Sequence, residues 1–157
     1  MTSRNCDVRN SGLLKVAVCL LAAAVMMTNF LSCSTRDPKF QQYMAEGEQL
    51  YATHCSNCHQ KNGEGLRLVY PPLASSDYME KNFSRVICGM KYGLDGEVVV
   101  NGNAYNQLMP GVLSLTELEI AEIATYIYNS WGHQRGIIES RSVPALLDSC
   151  VRPGPRR

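Results

Sequence analysis

The sequence predicts an all-α domain, and three observations carry that expectation. Ile120, Ile123, Ala124, Ile127 and Tyr128 recur at helical spacing behind Thr116 and Glu119, which stand three apart as a capping box does. Tyr43, Gly47, Leu50 and Tyr51 fall on one face of an earlier helix. The β-branched stretch at 97–100 is too short to found a sheet.

An export segment comes first. Arg4, Arg9 and Lys15 precede an apolar run over 16–31, broken only by Thr28 and Asn29, which is the pattern of a signal peptide. The run also approaches the ~20 apolar residues of a membrane-spanning helix, so an uncleaved N-terminal anchor is the alternative. It ends in Phe30-Leu31-Ser32-Cys33, which resembles the lipobox of bacterial lipoproteins and would make Cys33 the lipidated first residue. Either reading anchors the chain to a membrane and puts its folded part outside the cytoplasm, facing the periplasm. The organisation expected is an export segment over 1–32, a tether over 33–40, a folded domain over 41–132 and a basic, partly disordered extension over 133–157.

The first helix runs over about 38–53 and stops before a pair of cysteines. Residues 60–68, with Gly63 and Gly65, read as loop. Pro71-Pro72 forces extended backbone. Ser75 or Ser76 caps a short helix through Asp77, Tyr78 and Met79. A helix over 83–92 carries Val86, Ile87 and Met90 and ends at Gly93. Asn101-Gly102 is a turn signal, and the last clear helix extends to Trp131-Gly132. Beyond it lie an amphipathic stretch at 143–147 and a Pro- and Arg-rich tail at 152–157, too polar to fold alone.

Between Gln41 and Trp131 ten acidic residues face five basic ones, whereas from Gly132 onward five arginines face Glu139 and Asp148. Such asymmetry sets docking polarity and association rate. No basic, aromatic-laced stripe marks the core for nucleic acid.

Of the seven cysteines, Cys6, Cys19 and Cys33 belong to the export segment. Cys88 and Cys150 could bridge in an oxidising compartment, but spacing alone does not bring two Cα atoms together. One buried and one exposed free thiol is the preferred expectation. Cys55 and Cys58 remain, in Cys55-Ser56-Asn57-Cys58-His59. Two thiols three apart with a histidine directly after the second match the attachment motif of haem c, in which the imidazole is delivered to the iron. Zinc needs a second ligand pair, and Cys88, Cys150 and His133 are isolated in sequence. A thioredoxin-type pair belongs in a βαβ pattern that this helical chain lacks.

Met109 is the candidate for the iron's sixth site. It lies fifty residues beyond His59, in Leu108-Met109-Pro110-Gly111. A thioether is a soft ligand that raises the potential, and the following proline stiffens its loop. Met90 is a rival explained by core packing; Met79 is a weaker one.

From about Tyr43 to Trp131 the chain resembles class I c-type cytochromes, small bacterial mono-haem, His/Met-ligated electron carriers. Gly47 and Tyr51, eight and four residues before Cys55, match a glycine and an aromatic of the family's first helix, with Ile123 and Tyr126 as their partners on the last. Pro71, twelve residues after His59, matches a proline whose carbonyl accepts the ligand histidine's Nδ1–H. Leu73 is then expected against the haem. The segments around Val100–Asn106 and Tyr126–Gly132 are similar to one bacterial branch, in which Cys88 and the basic tail are not standard.

The resemblance implies a cytochrome c fold of about four to five helices wrapped around one covalently bound haem c. It implies Cys55 and Cys58 as thioether residues, and His59 and Met109 as proximal and distal iron ligands. Arg67 could pair with a haem propionate, with a solvated loop arginine as the alternative; His54 and His133 are expected at the surface. With both axial positions filled, the expected function is electron transfer rather than catalysis, between membrane or periplasmic donor and acceptor proteins. Two alternatives stay open: a haem subunit of a larger dehydrogenase, reductase or oxidase, and a ligand-sensing module if Met109 does not bind iron.

Overall fold

A computed structural model describes residues 15–21 and 37–150. Residues 15–21 are helical and exposed, within a unit that ends at Arg36. Cys33, the greater part of the export segment and the tail at 152–157 lie outside the described residues. Among the described residues, no helix is long and apolar enough to cross a membrane.

The folded unit is mostly helical, as expected. Helix α1, Pro38–His54, opens on Asp37, whose side chain accepts from Lys39 N–H, and Pro38 occupies its first turn. α2 is the single turn Ser56–His59. α3, Asp77–Lys81, is capped by Ser76, whose hydroxyl accepts from Met79 N–H. α4 is Phe83–Tyr92 and stops at Gly93, where φ is +83°. α5, Glu117–Ile127, carries the full Thr116–Glu119 capping box. A 3₁₀ turn, Ser140–Ser142, leads into α6, Val143–Asp148.

Two elements differ from the sequence expectation. The β-branched stretch does found a small sheet: β1, Val98–Val100, pairs antiparallel with β2, Asn103–Tyr105, across Asn101-Gly102. Partners outside the pair support it. Asp77 and Asn101 exchange reciprocal hydrogen bonds, each side-chain Oδ1 accepting the other's backbone N–H at 3.0 and 2.7 Å. The last long helix also ends sooner, at Ile127. There the Asn129 and Ser130 side chains donate to the Thr125 and Tyr126 carbonyls, and side-chain bonds stand in for the next helical turn.

The core is the crossing of α1 and α5. A Cβ on Gly47 would lie 2.1 Å from the Glu122 carbonyl oxygen and 2.8 Å from Tyr126 Cβ. The absent side chain is therefore what lets the helices touch. One turn on, Tyr51 packs against Tyr126 and Trp131, with ring centroids 5.5 and 5.1 Å away.

Residues 133–150 pack onto this core, with Ile138, Val143 and Leu147 buried. Here the preferred reading of two free thiols is overturned: Cys88 on α4 and Cys150 beyond α6 form a disulfide, Cα atoms 5.7 Å apart. Packing of Val143 and Leu147 beside α4 brings together residues 62 apart in sequence, a proximity no local pattern reveals. Closing so long a loop restricts the unfolded chain. Replacing both cysteines with serine should cost about 2–4 kcal/mol. An unchanged urea midpoint in the oxidised protein would count against that stabilisation.

Candidate haem site

The site grows from α2. With Cys55 as the N-cap, one helical turn puts Cys55 and Cys58 three residues apart and turns His59 inward, leaving it 8% exposed. Tyr51 anchors the turn from α1 by donating its hydroxyl to the Gln60 carbonyl at 2.6 Å.

The His59 Nδ1–H donates to the Pro71 carbonyl at 2.9 Å. That bond leaves Nε2 as the lone-pair nitrogen and makes it a better donor to a metal. Burial pushes the His59 pKa down, opposed by the bond to Pro71, and the ring is neutral at pH 7. Burial, with Cys58 adding to it, pushes the Cys55 thiol up to about 12.

Pro71 is held by a doubled-back loop whose glycines allow its tight approach. Leu73 and Ala74 N–H both donate to the Gly63 carbonyl, at 2.8 and 2.9 Å, and Gly65 N–H donates to the His59 carbonyl. A Cβ on Gly65 would lie 2.3 Å from the Tyr70 carbonyl oxygen and 2.7 Å from that of Pro71. Neither glycine figured as a site residue in the sequence, although each stands at positive φ in a loop that must reverse on itself.

Met109 reaches the same cleft from the other side. Its backbone is bound in both directions to Leu94, N–H to carbonyl at 3.0 Å each way. Gly93 and Gly111 permit the approach: a Cβ on Gly93 would lie 2.6 Å from the Met109 carbonyl oxygen, and one on Gly111 2.4 Å from the Tyr92 carbonyl carbon. The Lys91 ammonium donates to the Leu113 and Leu115 carbonyls and ties down the chain beyond. The methionine thus sits on a clamped loop rather than a free one.

Between these walls lies an apolar cleft bordered by Cys55, His59, Pro71, Leu73 and Met109, with Ile123 of α5 behind it. Smaller clefts adjoining it add Cys58 and share His59 and Met109. Met90 and Met79 border the cleft as well, buried on α4 and α3. Arg67 is exposed, at a φ of +46°, and borders none of these clefts.

Two features fit this space to haem c. Its walls are hydrophobic, as a flat macrocycle requires, while a neutral imidazole and a thioether offer soft nitrogen and sulfur donors. In addition, Tyr78 on α3 borders the cleft with a buried hydroxyl that has the Arg85 guanidinium beside it but no well-formed hydrogen bond among the described residues. A buried hydroxyl costs free energy until it is paired. The carboxylate-bearing edge of a haem is the complement that a hydroxyl and a guanidinium suit. Tyr78 and Arg85 carry no motif, which is why the sequence pointed to Arg67 instead.

His133 is the other departure. Expected at the surface, it is 5% exposed and bonded on both ring nitrogens. His54 is exposed.

Comparison with known proteins agrees with this geometry. The cytochrome c family model matches residues 44–131. A cytochrome c-552 of Thermus thermophilus is 35% identical over 97 residues, covering 59% of this chain and 73% of that protein. The cytochrome c subunit of a quinone alcohol dehydrogenase from Gluconacetobacter polyoxogenes is 27% identical over 126 residues, 73% of this chain but 26% of the subunit. A fructose dehydrogenase cytochrome subunit from Gluconobacter japonicus is 27% identical over 106 residues, 62% of this chain and 21% of its own length. The haem-attachment motif, the apolar cleft behind it and a family match across more than half of the sequence lead to one conclusion: the chain belongs to the cytochrome c family, whose cofactor is covalently bound haem c with its iron.

Proposed function

We propose that this cytochrome moves single electrons between redox proteins outside the cytoplasm, with Cys55 and Cys58 as thioether residues and His59 and Met109 as the axial pair. The bound haem supplies a one-electron Fe(II)/Fe(III) couple. The chain's part is to hold His59 through Pro71, to hold Met109 through Leu94, and to keep water from the apolar cleft. The observation that supports the reading most is that His59, on α2, and Met109, on a loop bonded to Leu94, border one cleft. Filling both axial positions leaves no site for a substrate, so we read the protein as a carrier and not itself an enzyme.

The partners proposed are a donor and an acceptor protein, with membrane attachment through a lipidated Cys33 or an uncleaved N-terminal helix. The dehydrogenase cytochrome subunits among the relatives support a second reading, a haem subunit of a larger enzyme. Co-purification from the native membrane separates the two: a dehydrogenase partner that survives detergent and salt identifies a subunit, and free recovery a mobile carrier.

The ligation is tested by the optical spectrum of the oxidised holoprotein. A weak far-red band is expected for methionine sulfur on ferric haem; a spectrum without it, together with rapid CO binding by the reduced form, would leave a ligand-sensing module as the better reading. Intact mass tests the anchor. A protein beginning at Cys33 with added acyl mass supports lipidation, and retention of residues 1–32 refutes it.

A further inference from the structure

Trp131 is the chain's only tryptophan, and its backbone lies at a φ of +49°, where bulky residues are rarely found. It stands just beyond the end of α5, before Gly132 at a φ of +101°. Ser75 has the same φ of +49°, and these two strained residues are bonded to each other. Ser75 N–H donates to the Trp131 carbonyl at 3.0 Å, and the Ser75 hydroxyl reaches the same oxygen at 3.4 Å. Such backbone costs free energy and persists only where the contacts around it impose it.

The Trp131 ring supplies a second set of contacts. Its benzene half covers Gly63, where a Cβ would lie 2.5 Å from Cε3 and 2.8 Å from Cδ2. The ring also packs against Tyr51 and Tyr126, with centroids 5.1 and 5.4 Å away, and so joins the crossing of α1 and α5 to the loop. Gly63 and Ser75 are the two ends of the loop that carries Pro71. The Gly63 carbonyl closes it by accepting from Leu73 and Ala74 N–H at 2.8 and 2.9 Å. Inside it, the Pro71 carbonyl accepts the His59 Nδ1–H at 2.9 Å. Trp131 therefore grips this loop at both ends, by its ring at Gly63 and by its carbonyl at Ser75, while bordering none of the clefts around His59.

We infer that Trp131 is a positioning residue for the axial histidine: it locks the 63–75 loop in a strained, closed form that keeps the Pro71 carbonyl on His59. This assignment rests on the proposed His59 ligation. The link to the iron runs through one bond. The Nδ1–H donated to Pro71 fixes the tautomer and rotation of the imidazole and strengthens Nε2 as a donor. Freed at Gly63, the loop lets Pro71 drift and the imidazole loses both. The lock is built from residues on α5's end and on the loop, so the proximal ligand is oriented by packing remote from the cleft.

NMR of the reduced holoprotein, following solvent exchange of the His59 Nδ1 proton, tests the lock. Trp131→Leu, which removes the indole but keeps the backbone carbonyl, should speed that exchange by about tenfold or more. Gly63→Ala pushes the ring from the loop and should speed it too. In the double variant the two effects should fall well short of multiplying, because both break one contact. Cys88→Ser with Cys150→Ser weakens the fold away from the loop and should leave the exchange unchanged. Unchanged exchange in Trp131→Leu, multiplying effects in the double variant, or faster exchange on loss of the disulfide would each overturn the proposal. If Trp131→Leu gives no holoprotein, Trp131→Phe carries the test: it keeps one ring against Tyr51 and Tyr126, and exchange equal to that of the wild type overturns the lock. The His59 ring protons read the ligation separately, through the large shift that a haem ring imposes on an axial imidazole. Shifted protons with unaltered exchange would sink the lock alone, and unshifted protons would sink the ligation.

Discussion

Met109→Ala should produce a protein that folds, attaches haem and binds CO in the reduced state, with a potential lower by on the order of 100–300 mV. The backbone is the reason folding should survive. Met109 is held through its N–H and carbonyl by Leu94, and both bonds persist in alanine. Gly93 and Gly111, which admit the close approach of this loop to the end of α4, are untouched. What disappears is the thioether, proposed above as the ligand that stabilises the reduced iron. The far-red band should vanish and CO should bind without a slow displacement step. Met90 supplies the counter-test, since it borders the same cleft. If Met109→Ala moves neither spectrum nor potential and Met90→Leu moves both, the axial assignment passes to Met90.

The parts of this fold that can be read from the sequence are those set by short-range periodicity or by one chemical motif. The stripe on α5, its capping box and the stop of α4 at Gly93 are local, and each appears where its residues direct. Cys55, Cys58 and His59 are legible because haem attachment demands that spacing. The bond from His59 to Pro71 spans only twelve residues and needs one tight loop. Hidden features depend on what lies across the fold. His133 looks like any polar residue after a helix until the chain folds it beneath Glu80 and Leu73. Cys88 and Cys150 meet only because α6 docks beside α4. Tyr78 and Arg85 sit on neighbouring short helices, where nothing in their spacing says that the hydroxyl will be buried at a cleft with the guanidinium beside it. The early end of α5 depends on Asn129 and Ser130 competing for backbone carbonyls, a choice that helical periodicity does not see.

Gly47→Ala should destabilise the holoprotein by about 2–3 kcal/mol, although helix propensity alone predicts a gain of roughly 1 kcal/mol for this exchange in a helix interior. The two effects have opposite signs, which makes the measurement decisive. The added Cβ would meet the Glu122 carbonyl oxygen at 2.1 Å. That is a backbone atom inside α5, so no rotamer change relieves the clash, and α1 must withdraw from α5. Withdrawal reaches the site at once, because α1 carries Tyr51 against Trp131 and α5 carries Ile123 along the cleft. Gly89→Ala is the control: its Cβ would press on the Leu94 side chain at 2.8 Å, a contact that a flexible leucine can relax, and its cost should be smaller. Urea midpoints of the two holoproteins, with the yield of attached haem, separate them. A Gly47→Ala protein as stable as wild type would mean that the helices cross further apart than 2.1 Å allows, and that the glycine answers to something other than their contact.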